Sequence, residues 1–260
     1  MSNLYFTDKI TKTNPFTVDG TYADNWVGLS ITENEDYEMM TFAEPLFHFK
    51  VNQSGEGWSF RVMDFISYHT TLGVNIIYEG NKSNYEIAKT KYRGHSIRDD
   101  FLRPYEPPFL VHSTTPSGYK KIMKDYTLKS WNLIKQENGI LEDKPIGDLL
   151  GDPSKYRDYV MLGSGFWTEI VVCSRENGAI CMDANCEYTP GGRFYFDTLD
   201  LIRKGLLVRD GLHYKVKDQL PLSNMLFCAT TNNVIVEGSI TPKSFADAAD
   251  KMFLALQKGE

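Results

Sequence analysis

The chain has 260 residues, 42% hydrophobic and 13% aromatic, enough apolar material for one large domain or two small ones. A formal net charge of −6 argues against a protein that coats nucleic acid nonspecifically, and no apolar run approaches the roughly 18 residues of a membrane span. Residues 1–45 hold eight acids and two bases, so they carry the whole −6 and the rest is neutral. Met1-Ser2-Asn3-Leu4-Tyr5 lacks the basic-then-apolar profile of a signal peptide, which predicts a cytoplasmic protein. Cys173, Cys181, Cys186 and Cys228 include no Cys-x-x-Cys pair, and the nearest histidine, His213, stands outside zinc-finger spacing. Buried free thiols and no metal are expected.

In chain order, residues 33–43 predict a helix stopped by Pro45, and residues 58–66 form an apolar-rich stretch open to helix or strand. Residues 74–78 predict a strand, turned by Glu79-Gly80-Asn81 into a second strand near residues 85–88. Helices ending in a hairpin suggest a winged-helix-like N-terminal lobe. From Lys82 to Arg103 the chain is locally basic, which fits either a solvated face or a phosphate-binding surface. Pro104, Pro107 and Pro108 remove backbone donors and oppose helix, so residues 104–108 are expected to connect a lobe at 1–103 to one at 109–260.

Beyond the connector, strands are predicted at residues 109–111, 159–162, 169–173, 193–196, 225–228 and 234–236. Thr115-Pro116 has the form of an N-cap and first helical residue, followed by a stripe of Tyr119, Ile122, Met123 and Tyr126. Asp197 can cap a short helix through Leu199 and Ile202 that stops at Gly205. A last helix starts at Thr241-Pro242 and turns Phe245, Ala249, Met252 and Leu256 to one side. Many strands with few helices between them predict an α+β fold.

Two short motifs flank the connector: Gly94-His95-Ser96, then Pro107-Pro108-Phe109-Leu110-Val111-His112-Ser113-Thr114. Further on come Arg157-Asp158-Tyr159-Val160-Met161-Leu162, the stretch from Arg193 to Gly205, and Phe227 followed by Asn232-Asn233-Val234-Ile235-Val236. In this order the set resembles the tRNA 2′-phosphotransferase family, which carries Gly-His-Ser, a proline-rich link and an apolar strand ending in His-Gly-Thr. The resemblance covers about residues 89–245 and departs from the family at Ser113, which replaces the glycine, and at Met161, which replaces a second histidine. It implies a winged-helix-like lobe joined to an ADP-ribosyltransferase-type split β-sandwich. It also implies NAD as co-substrate and an RNA 2′-phosphate as acceptor.

On that basis His112, Ser113 and Thr114 are expected on NAD, with Tyr159 and Asn232 as further NAD contacts. A phosphate dianion that attacks, and is later attacked, needs positive charge around it. His95, Lys91, Arg93 and His48 are the candidates, although Phe47 and Thr90 stand where the family has arginines. Glu237 is the candidate carboxylate for polarising a nucleophile or stabilising an oxocarbenium ion. Three functions stay open: an NAD-dependent RNA 2′-phosphotransferase, an ADP-ribosyltransferase that modifies nucleic acid or protein as a toxin or defence effector, and a non-enzymatic nucleotide-binding module. No membrane partner is expected, and the sequence leaves the oligomeric state open.

Overall fold

The computed structural model describes residues 4–33, 39–40, 46–139, 145–149 and 151–259. Five strands form the N-terminal sheet: β1 (Leu4–Thr7), β2 (Trp26–Thr32), β3 (Met39–Met40), β4 (Phe47–Asn52) and β5 (Asn75–Glu79), in the order β1-β5-β2-β4-β3. Every pairing is parallel except that of β3 with β4. Parallel strands need a crossover to join them, and α1 (Trp58–Thr71) supplies the one that carries the chain from β4 past β2 to β5. Its Trp58, Val62, Phe65 and Ile66 recur at helical spacing and pack on Val27, Leu29, Phe47, Phe49 and Val51, the alternate residues of β2 and β4. The opposite face of the sheet buries Trp26, Leu46 and Ile77.

The winged-helix-like expectation is overturned by this sheet. Residues 85–88 lie in α2 (Lys82–Lys91), because the Asn81 side chain accepts the Ser83 N–H at 2.9 Å and starts a helix where the sequence reads as a turn. Both edges of β5 are taken by β1 and β2, which leaves no room for a hairpin partner. The stretch at 58–66 belongs to α1. Most of the helix expected at 33–43 lies outside the described residues; its described pair, Met39–Met40, is a strand.

The C-terminal part contains β6 (Phe109–Thr114), α3 (Pro116–Asp125), β7 (Thr127–Lys129), α4 (Trp131–Asn138), α5 (Ile146–Leu149), β8 (Tyr159–Leu162), α6 (Trp167–Asn177), β9 (Gly192–Asp197), α7 (Thr198–Arg203), β10 (Leu207–Arg209), β11 (Tyr214–Lys217), β12 (Gln219–Pro221), β13 (Met225–Ala229) and α8 (Pro242–Lys258). Two antiparallel sheets, β13-β9-β6 and β10-β11-β8, enclose a core of Leu110, Phe194, Phe196, Val160, Leu162 and Val216, closed at one side by the β7–β12 pair. On the other face of β6 and β9, α6 and α8 bury Val111, Tyr195, Val172, Phe245, Ala249 and Phe253. The chain is thus a mixed α/β structure of the α+β kind.

Two expected strands are corrected here. Residues 169–173 are helical, in α6, where Glu169, Ile170, Val172 and Cys173 are buried. Residues 234–236 form no strand; Val234 N–H returns to the Thr230 carbonyl at 2.9 Å, so a turn ends the ladder. The other local signals hold: Thr115 and Thr241 cap α3 and α8, and Asp197 caps α7 by accepting the Asp200 N–H at 2.8 Å.

The connector is stitched to both sides. Arg103, fully buried, pairs with Asp64 of α1 and donates to the Ser96 carbonyl at 2.9 Å. Glu106 accepts from Arg209 of β10 at 2.6 and 2.8 Å. Tyr156, from the 3-10 turn Ser154–Asp158, joins the core under α1, and Tyr159 and Met161 pack against it.

Candidate functional site

Strands β6 and β8 touch at one point and then part. Val111 and Gly163 exchange both backbone bonds, at 2.8 and 2.9 Å, and no further pair of the two strands is bridged. In a continuing antiparallel ladder the Met161 carbonyl would next receive the Ser113 amide. It receives instead the imidazole of His112, whose Nδ1 lies 3.0 Å away. The side chain thus holds the strand ends apart while still satisfying the carbonyl that the parting frees.

That bond assigns the proton of a neutral ring to Nδ1, leaving Nε2 as an acceptor with no partner among the described residues. Burial holds the His112 pKa below its usual value; the Met161 bond opposes that shift in part, and the positive charge of Arg175 adds a smaller push downward. The ring is therefore neutral at neutral pH.

Alternation along β6 divides the three predicted NAD residues. His112 and Thr114 share the face of Leu110, toward the inter-sheet core, and Ser113 shares the face of Val111. The Thr114 hydroxyl sits over Gly118 in the first turn of α3, where no side chain would fit. On the far side Gly191 donates to the Thr114 carbonyl at 3.0 Å, and its α-carbon lies so close to the Thr115 carbonyl that any Cβ would collide with it.

The Ser113 hydroxyl is engaged within the protein rather than turned with His112 toward the gap. It donates to Glu169, a fully buried carboxylate that also receives Arg193 Nη1 at 2.9 and 2.8 Å. Arg193 continues to Asp250 at 2.9 Å, and the Tyr195 hydroxyl donates to the same Asp250 oxygen at 2.6 Å. Burial raises the Glu169 pKa, and the charge of Arg193 opposes that shift. The network ties β6, β9, α6 and α8 into one rigid base beneath His112.

The remaining predicted residues lie elsewhere. His48, a phosphate candidate, is buried in β4 with Nε2 2.5 Å from Ser30 Oγ, on the sheet face turned away from α1 and from the C-terminal part, and so stands apart from His112. Tyr159 points to the N-terminal core, where its ring lies 5.0 Å from the Lys215 ammonium, because odd and even residues of β8 face opposite ways. Asn232 sits in an exposed turn after β13, and Glu237 is exposed farther along the same segment. Lys91 lies over the Trp58 ring at 5.1 Å, Arg93 is exposed, and His95 packs on Phe60 with Nδ1 3.2 Å from Asp99. Among the described residues no hydrogen bond, ion pair or ring contact links these three to His112.

Sequence reasoning missed Glu169, Arg193 and Asp250 as a unit. Glu169 was hidden in a run that reads as strand, and a carboxylate 24 residues before its arginine partner gives no local signal. It also missed Arg175, in the last turn of α6. No protein-family model and no curated protein matches this chain.

Proposed function

We propose that this protein is an NAD-dependent transferase that moves ADP-ribose to an acceptor, an RNA 2′-phosphate being the acceptor that the sequence resemblance implies. The observation that carries the reading is the neutral His112 imidazole, with Nδ1 fixed on the Met161 carbonyl and Nε2 left as an acceptor where two strands part. A ribose hydroxyl of NAD is a donor that suits this atom. The first turn of α3 offers the Ser117 amide, which has no partner among the described residues, and α3 carries Lys120, Lys121 and Lys124, so a pyrophosphate finds positive potential there.

NAD supplies the glycosidic bond whose cleavage releases nicotinamide. The chain's part is to hold the ribose at His112 and Thr114 on the base made by Glu169, Arg193 and Asp250, so that orientation rather than acid chemistry lowers the barrier. Lys91, Arg93 and His95 are the side chains proposed for the acceptor, and Glu237 the proposed polarising carboxylate.

A second reading, a transferase that stops once ADP-ribose is attached, is favoured by the place of His48 on the far face of its sheet, since the second step of the phosphotransferase needs cations around the phosphate. Labelled NAD and an RNA with one internal 2′-phosphate separate the two. Dephosphorylated RNA with ADP-ribose cyclic phosphate supports the first reading, and a stable ADP-ribosylated RNA the second. Failure to bind or consume NAD removes both.

A further inference from the structure

Three of the four cysteines converge in the folded chain. Cys173 is buried on α6, and Cys181 and Cys186 lie in the loop 178–191 that leads to β9. The Sγ atoms of Cys181 and Cys186 are 3.5 Å apart, and the Cys173 thiol adjoins Cys186. Several contacts hold this arrangement. Cys181 N–H donates to Ser174 Oγ at 2.9 Å, and the Asp183 side chain accepts the Asn185 N–H at 2.8 Å, turning the chain back between the two thiols. The Ala184 carbonyl accepts the Lys243 N–H at 3.0 Å, and Tyr188 N–H donates to Ile240 at 3.1 Å, so α8 anchors the loop from outside. Cys181 and Cys186 are half-buried, within reach of a small oxidant, whereas Cys173 is shut in behind them.

We propose that Cys181 and Cys186 are a redox modification site, forming a reversible intramolecular disulfide that clasps the loop delivering Gly191 to the end of β6. A disulfide has its sulfurs about 2.05 Å apart, so the observed 3.5 Å must close by about 1.5 Å, within the range of side-chain rotation. With hydrogen peroxide as oxidant, one thiolate attacks a peroxide oxygen, the O–O bond breaks, and a sulfenic acid and hydroxide result. The second thiol then attacks the sulfenic sulfur, the S–O bond breaks, and water leaves with the thiol proton. Two electrons pass from the sulfur pair to peroxide; a dithiol reductant returns them by exchange. Burial raises the Cys186 thiol and pushes Cys173 to about 12, so thiolate is scarce at neutral pH and the reaction is run in mildly alkaline buffer. The site does not depend on the transferase reading.

The test treats the purified full chain with an equivalent of hydrogen peroxide, blocks the remaining thiols with an alkylating agent, and maps unreduced peptides by mass spectrometry. The expected product is a monomer lighter by two hydrogens, with Cys181 and Cys186 joined, Cys173 and Cys228 not joined to either, and full reversal by a dithiol. Cys228→Ser keeps the link, and Cys181→Ser and Cys186→Ser each abolish it. A link from Cys173 to Cys186, a link between two chains, or sulfinic acid without any link overturns the proposal. Because the mapping on the unaltered chain decides the pairing, it stands even where a variant folds poorly.

Discussion

His112 on β6 is joined to Met161 on β8 by a side-chain hydrogen bond of 3.0 Å at the place where the two strands stop pairing. One imidazole thereby serves the fold through Nδ1 and leaves Nε2 as an acceptor for the proposed NAD. The two services are separable by experiment.

His112→Ala removes both, and the unpaired Met161 carbonyl costs about 1 kcal/mol. His112→Asn keeps a donor for that carbonyl but displaces the acceptor. Both variants are expected to weaken NAD binding about tenfold, as measured by calorimetry, while only His112→Ala lowers the urea midpoint. Unchanged NAD affinity in both variants would falsify the site assignment.

Arg193 is buried between Glu169 and Asp250. Arg193→Met leaves two carboxylates without their cation, at a cost of about 3–5 kcal/mol. Arg193→Met combined with Glu169→Gln is expected to recover a large part of that loss, since an unpaired buried charge costs more than an absent pair. Urea unfolding of the two variants provides the comparison.

His69, on the buried side of α1, has neither ring nitrogen partnered among the described residues, and burial pulls its pKa down to about 3. A histidine depressed in this way binds its proton less readily in the folded chain than in the unfolded one. Its contribution is therefore complete above the ordinary value of 6.5 and is lost as pH falls from there toward about 3. The slope is at most about 1.4 kcal/mol per pH unit for one proton. His69→Phe fits among Phe65, Tyr68 and Tyr156, so it is expected to raise stability at pH values just below neutral and to remove that part of the acid slope. Parallel slopes for parent and variant would count against the burial argument.

Gly211, with φ +86°, lies against the Arg61 carbonyl of α1, and a Cβ there would collide with backbone. Gly73 also has a positive φ, +70°, but open space around it. Gly211→Ala is expected to be clearly more destabilising than Gly73→Ala, which meets only the backbone penalty of about 1 kcal/mol. Hydrogen exchange should show α1 loosening in the first variant alone.

Much of the C-terminal part was legible because its signals are local. Thr115-Pro116, Asp197 with Gly205, and Thr241-Pro242 mark helix ends through hydrogen bonds spanning three residues, and β6, β9 and β13 follow from short apolar runs. Residues 169–173 were misread because a β-branched run prefers strand locally, and packing on β6 and α8 overrides that preference. The N-terminal sheet was illegible for a related reason: β1 pairs with β5 across some seventy positions of chain, a distance at which no pattern in a short window reports a partner.

The sequence by itself determined the class of fold, the helix caps and the strand that carries His112, since each depends on residues a few positions apart. Tertiary structure alone decided what His112 and Ser113, turned to opposite faces of that strand, meet there. One meets the gap between two sheets, and the other a buried ion network. It also decided that His48 lies across a sheet from the site and that Cys181 meets Cys186. The physical reason is that alternation assigns neighbours to opposite faces, but what waits on each face is set by long-range packing.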